Sequence, residues 1–230
     1  MAWENAKARA ADLGITQSTA AFNGGVLVHT GLSVTAQSFV TADIAAKIIE
    51  AITRHGLDCW VYRDRDWLVR NDRAPHIARE QWTVGFAPMV VPDLAAHLGR
   101  LAKIVGVSGD HPAVARCEAD VRRDAGNYVS AARSQAYYLD VTYPDANKGH
   151  VVAVLSQALS ISPEQIATIG DMPNDVLMFK KSGLSIAMRN ASPDVRQQAK
   201  QLTTSNEDER FANAMEAFVQ GEREFIGKAS

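Results

Sequence analysis

Gly170-Asp171-Met172-Pro173-Asn174-Asp175 constrains this chain more than any other six residues in it. The segment follows a short apolar run, Gln165-Ile166-Ala167-Thr168-Ile169, and leads into a helix-like stretch from Val176 to Lys181. Open α/β sheets bind their ligands where a strand ends and a helix begins, so the pattern argues for an α/β fold with a parallel sheet. Exposed backbone N–H groups at such a junction favour phosphate. Paired carboxylates there suit Mg2+, a hard cation that takes a few carboxylates and leaves room for phosphate oxygens. Asp and Asn are also ordinary residues at a helix start, and a single acid would mean no more than that. Gly-Asp-x-x-Asn-Asp after an apolar strand favours a metal–phosphate site over a plain cap.

The 230 residues suffice for one large domain or two modest ones, and the 47 % hydrophobic and 22 % charged content is that of a soluble globular protein. A net charge of −2 with no basic stripe argues against nucleic acid as a partner. No apolar stretch is long enough to span a bilayer, which argues against a membrane, and the first residues lack the apolar core of a signal peptide. Cys59 and Cys117 are far apart and form no CxxC, a pattern that fits a reducing cytoplasm with two buried thiols. The six histidines are scattered, and none has a metal-ligand spacing with another.

Periodicity divides the chain. Trp3, Ala6, Ala10 and Leu13 recur at helical spacing up to Gly14. Ser18 to Phe22, the turn Asn23-Gly24-Gly25 and Val26 to Val28 predict a hairpin. Thr41 is placed to cap a helix whose apolar face is Ile44, Ile48, Ile49 and Ile52. Strands are predicted over 57–62 and 67–70 around Asp64-Arg65-Asp66, over 102–107, and over 128–132 and 136–141 around Arg133-Ser134-Gln135. Helices are predicted over 94–98 and 112–124, so the middle region reads as α+β with helices on one face. After Pro144 the order changes to a helix through Val151, Val154, Leu155 and Leu159, a capping box at Ser162-Pro163-Glu164-Gln165, a strand, the acidic loop and a strand over 184–188. Further helices start at Ser192 and run through Phe211, Met215 and Phe218. Strands alternating with helices imply parallel pairing.

Lys148, in Asn147-Lys148-Gly149, precedes a helix and lies upstream of the acidic loop. A lysine beside metal-bound phosphate neutralises charge that builds up in phosphoryl transfer. An isolated lysine reads better as a solvated loop residue; its order relative to 170–175 shifts the balance. Phe22-Asn23-Gly24-Gly25, Ala187-Met188-Arg189-Asn190-Ala191 and Thr203-Thr204-Ser205-Asn206-Glu207-Asp208 extend the series across nearly the whole chain. In these pieces and their order the chain resembles the haloacid dehalogenase (HAD) superfamily, in particular its Cof-like, type IIB phosphatases. The resemblance implies a Rossmann-like core, residues 1–36 and 144–230, with an inserted α+β cap, residues 37–143. It also implies Mg2+-dependent hydrolysis of a small phosphorylated metabolite, such as a sugar phosphate. Asp171 would ligate Mg2+, and Asp175 would support the metal or position Lys148. Asn174 would orient the site or contact phosphate, and Lys148 would pair with the nucleophilic carboxylate and the phosphoryl group. Asn23 would face the same pocket or simply form the Asn-Gly turn.

The chain departs from the family at its start. The nucleophile motif Asp-x-Asp-Gly-Thr and the second motif, a Ser or Thr before Gly-Arg-Pro, are absent, and the core is expected to be N-terminally incomplete. Asp64-Arg65-Asp66 is the one Asp-x-Asp, but Trp67 stands where Gly is expected and it follows Asn23, so it reads as a cap turn. An aspartyl-phosphate route needs that nucleophile, and the expected biological start therefore lies upstream. The competing reading is a catalytically inactive protein that binds phosphate or Mg2+ on the same fold. Trp60, Tyr62, Trp67, Trp82, Tyr137 and Tyr138 are expected to fill the cap core rather than stack on a sugar.

Overall fold

The computed structural model describes residues 39–63 and 66–203 in full, together with the backbone of three strands before them. It divides into two compact units, 1–147 and 148–230. In the first unit, β1 (Thr19–Ala21), β2 (Val26–Val28) and β3 (Val34–Gln37) form an antiparallel meander with Ala21 opposite Val26 and Leu27 opposite Ala36. The two predicted hairpin strands are therefore paired. The turn containing Asn23 lies outside the described residues, as do the helices predicted near Trp3 and Phe211 and the pair Asp64-Arg65.

The rest of this unit is built on six strands: β4 (Asp58–Arg63), β5 (Asp66–Val69), β6 (Met89–Val90), β7 (Leu101–Val107), β8 (Ser130–Gln135) and β9 (Tyr138–Thr142). Their order is β6-β5-β4-β7-β9-β8, antiparallel throughout except for the parallel β5–β6 pair. Alternate side chains of a strand point to opposite faces, and β4 is buried on both. Cys59 and Val61 face two helices, α1 (Ala42–Arg54) and α3 (His111–Ala125), while Trp60 and Tyr62 enter a second core with Trp67, Val69, Val105 and Tyr138. Helix α1 contributes Ile44, Ile48 and Ile52 to the first core, as their spacing predicts, and Ile49 sits at its rim. Thr41 occupies the cap position through its carbonyl, which accepts from Ala45 N at 2.8 Å, but its side chain makes no capping bond. Asp110 does cap α3, accepting from Ala113 N at 3.0 Å.

Four expectations change here. The second face is not bare: α2 (Ile77–Val84), unmarked in the sequence, covers it with Ile77 and Val84. The turn between β8 and β9 is Ala136-Tyr137, with Gln135 opposite Tyr138; Ser134 lies at a register shift within β8 instead. The segment after Asp93 is a single 3-10 helix, Leu94–His97, capped by the Asp93 side chain, which accepts from Ala95 N at 2.8 Å. Trp82 is not core, being 78 % exposed, whereas Trp60, Trp67, Tyr62 and Tyr138 are buried, the two tryptophans packing edge to face at 5.2 Å.

The second unit holds a parallel sheet, β10 (Ala167–Gly170), β11 (Leu184–Met188) and β12 (Gln201–Thr203), in that order. Helix α4 (Lys148–Leu159) precedes it. Short helices α5 (Val176–Phe179) and α6 (Pro193–Arg196) make the crossovers that parallel strands require. Phe179, Ala187, Ala191 and Val195 form its buried core. The capping box at Ser162 closes only a 3-10 turn, Pro163–Gln165, with Ser162 N donating to Gln165 Oε1 at 3.3 Å, because the strand starts two residues later. The predicted apolar face of α4 is half-buried, and Leu159 at its end is 45 % exposed. No helix among the described residues is long and apolar enough to cross a membrane.

Candidate active site

Strand β10 ends at Gly170, and the acidic loop begins with Asp171 at its carboxyl end. Pro173–Asp175 then forms a 3-10 turn that runs into α5. Asp175 is 3 % exposed and organises this loop. Its Oδ2 accepts from the backbone N–H groups of Asp171 and Met172, both at 2.9 Å. Its Oδ1 accepts from Lys148 Nζ at 2.5 Å. The carboxylate thus satisfies two loop amides and holds an ammonium delivered by the first residue of α4. Gly170 makes this possible, since a Cβ there would overlap the Asp175 carboxylate.

Asp171 is half-buried, and its Oδ2 accepts from Asn190 Nδ2 at 2.8 Å. Asn190 stands in the turn after β11, the parallel neighbour of β10, with Gly170 opposite Ala187. Parallel strands place their carboxyl ends side by side, which brings this turn to Asp171. Asn174 is buried, and its Oδ1 has no hydrogen-bond partner among the described residues. A buried amide oxygen left unpaired is uncommon and asks for a ligand or a water.

Lys148, Asp171, Asn174 and Asp175 therefore meet in one loop region of the second unit. Asn23 lies outside the described residues. Asn190 belongs to a motif marked in the sequence, but spacing alone does not reveal its contact with Asp171. The orphaned Asn174 Oδ1 and the remaining oxygen of Asp171 are both oxygen donors, the type of atom a hard cation takes. Both oxygens of Asp175 are already used. No group of three or more His, Cys, Asp or Glu suited to a metal occurs among the described residues.

A parallel-sheet unit with an acidic loop at a strand end, in a chain that also carries an antiparallel-rich α+β unit, defines a Rossmann-like α/β fold class. The family model of haloacid dehalogenase-like hydrolases matches residues 2–215, and the chain belongs to that family. The chain is 30 % identical over 106 residues to the putative phosphatase YxeH of Bacillus subtilis (strain 168), covering 46 % of this chain and 39 % of that protein. It is 29 % identical over 160 residues to the HMP-PP phosphatase of Cronobacter sakazakii, covering 66 % of this chain and 57 % of that enzyme. The chain thus matches well under two thirds of the length of these curated relatives. In fold it is similar to SMU.1108c from Streptococcus mutans UA159, with a TM-score of 0.81 at 15 % identity, covering 96 % of this chain and 83 % of the other. It is also similar to the HAD subclass IIB sugar phosphatase BT4131, with a TM-score of 0.77 at 18 % identity, covering 92 % and 79 %.

Proposed function

We propose that this chain carries the lysine-and-acid part of a Mg2+-dependent phosphatase acting on a small phosphomonoester of the sugar-phosphate class. The observation that carries the reading is the Lys148–Asp175 pair, Asp175 lying in the same loop as an Asp171 oxygen and a buried Asn174 oxygen that have no partner among the described residues. Asp171 and Asn174 would hold the cation, which when bound supplies positive charge to a phosphate oxygen. Lys148 stabilises negative charge on the transferring group. Asp175, its oxygens committed, positions Lys148 and shapes the loop rather than ligating directly. The phosphatase relatives support a hydrolase, and the sugar phosphatase among the fold relatives is the guide to the substrate class. In the same reading, residues 37–143, which enclose the whole six-stranded sheet, are the cap, and 1–36 with 144–230 are the core. Two buried free thiols support a reducing, cytoplasmic setting.

The test is hydrolysis of p-nitrophenyl phosphate with and without Mg2+, by this chain and by a form extended upstream. The expected result is Mg2+-dependent turnover by the extended form that falls about 10²-fold or more in Lys148→Ala, the scale for removing one charge-stabilising donor. Mg2+ or phosphate binding with turnover by neither form would favour the inactive, ligand-binding alternative.

A further inference from the structure

We propose that Asn190 is a positioning residue for Asp171: it holds one carboxylate oxygen and so presents the other to a divalent cation. The inference rests on the metal–phosphate reading above. Asn190 Nδ2 donates to Asp171 Oδ2 at 2.8 Å across the ends of two adjacent parallel strands. Among the described residues it is the one side chain that bonds this carboxylate; Asp175 touches Asp171 only through the backbone N–H. Among the same residues Asp171 Oδ1 is left without a protein partner, as is the buried Asn174 Oδ1.

The choice of donor matters. The terminal torsion of an aspartate is broad and roughly two-fold, so an untethered carboxylate presents either oxygen. A lysine or arginine would tether it but would also offset the charge that attracts the cation. A neutral amide fixes the rotation and leaves the full negative charge in place. Residues that orient a metal-ligating group from behind commonly change metal affinity 10–100-fold when removed. Asn190 is exposed, so its contribution to the fold is expected to be small and its replacement well tolerated.

The experiment is a Mg2+ titration of the full chain, followed by thermal midpoint and by calorimetry, with Asn190→Ala, Asn190→Gln and Asp171→Asn in parallel. Binding to the native state alone raises the midpoint with cation concentration. Asn190→Ala is expected to keep the metal-free midpoint and to bind Mg2+ about 10–100-fold more weakly. Asn190→Gln, which keeps the amide donor on a longer stem, is expected to recover most of that loss, and Asp171→Asn to abolish the response. A wild-type response with Asn190→Ala unchanged to within about twofold overturns the role of Asn190 and leaves the metal reading standing. A wild-type chain that responds no more than Asp171→Asn overturns the metal reading and this inference with it.

Discussion

Substituting Gly170 by alanine tests the organisation of the loop with a single methyl group. The added Cβ would fall on the Asp175 carboxylate, so that side chain must leave its place. Leaving breaks its bonds to the Asp171 and Met172 amides, both 2.9 Å, and to Lys148. Hydrogen bonds to a charged group contribute about 1.5 kcal/mol at the low end, so the two amide bonds amount to about 3 kcal/mol. The Lys148 side chain is 36 % exposed, and its ion pair adds no more than about 1 kcal/mol after solvent screening. The expected loss is therefore about 3–4 kcal/mol, confined to the second unit. Amide hydrogen exchange at Asp171 and Met172 reads it directly: both amides should lose protection in Gly170→Ala and keep it in Gly99→Ala. A Cβ at Gly99 meets nothing within 4 Å, and that change is expected to be neutral or to stabilise by about 0.4–1 kcal/mol through the unfolded chain. Gly170→Ala with wild-type protection at both amides would refute the reasoning.

Two further outcomes concern the α+β unit. Lys103 and Asp140 form an ion pair at 2.8 Å with side chains 9 % and 3 % exposed, so Asp140→Ala, which strands the ammonium, is expected to destabilise by about 3–5 kcal/mol in urea unfolding. The double change Lys103→Met with Asp140→Leu should recover most of that, and failure to recover would show the polar pair to be required for the fold. Burial raises the Cys59 thiol from 9.0 to about 12, favouring its neutral form in the folded state. The associated stability is fully present below pH 9 and is lost as pH rises from there towards 12, because only the unfolded thiol ionises freely. Cys59→Ala should flatten that part of the stability–pH curve, and thiol reagents at about pH 8 should leave Cys59 unlabelled until the unit unfolds; prompt labelling of the native chain would contradict its burial.

Patterns that repeat within one element are legible in the sequence. Ile44, Ile48 and Ile52 share a helix face whatever they pack against, and an apolar run ending in Gly-Asp-x-x-Asn-Asp marks a strand end that carries carboxylate and amide oxygens. Short elements without a period are not legible. Two-residue β6 and three-residue β12 are strands only because β5 and β11 lie alongside them. Ala136-Tyr137 turns the chain without any residue that favours turning, because the pairing of β8 with β9 leaves it no alternative. Tyr62 and Glu80, bonded at 2.5 Å, stand 18 positions apart in sequence. In the candidate site, the order of residues establishes which donors are present: Lys148, Asp171, Asn174 and Asp175. How those donors are shared out depends on the folded chain. Asp175 commits both oxygens to two amides and a lysine, while Asp171 gives one to Asn190, 19 residues on, and keeps the other without a partner among the described residues. That division follows from the parallel pairing of β10 with β11 and from the missing Cβ at Gly170, neither of which a carboxylate's place in the sequence encodes.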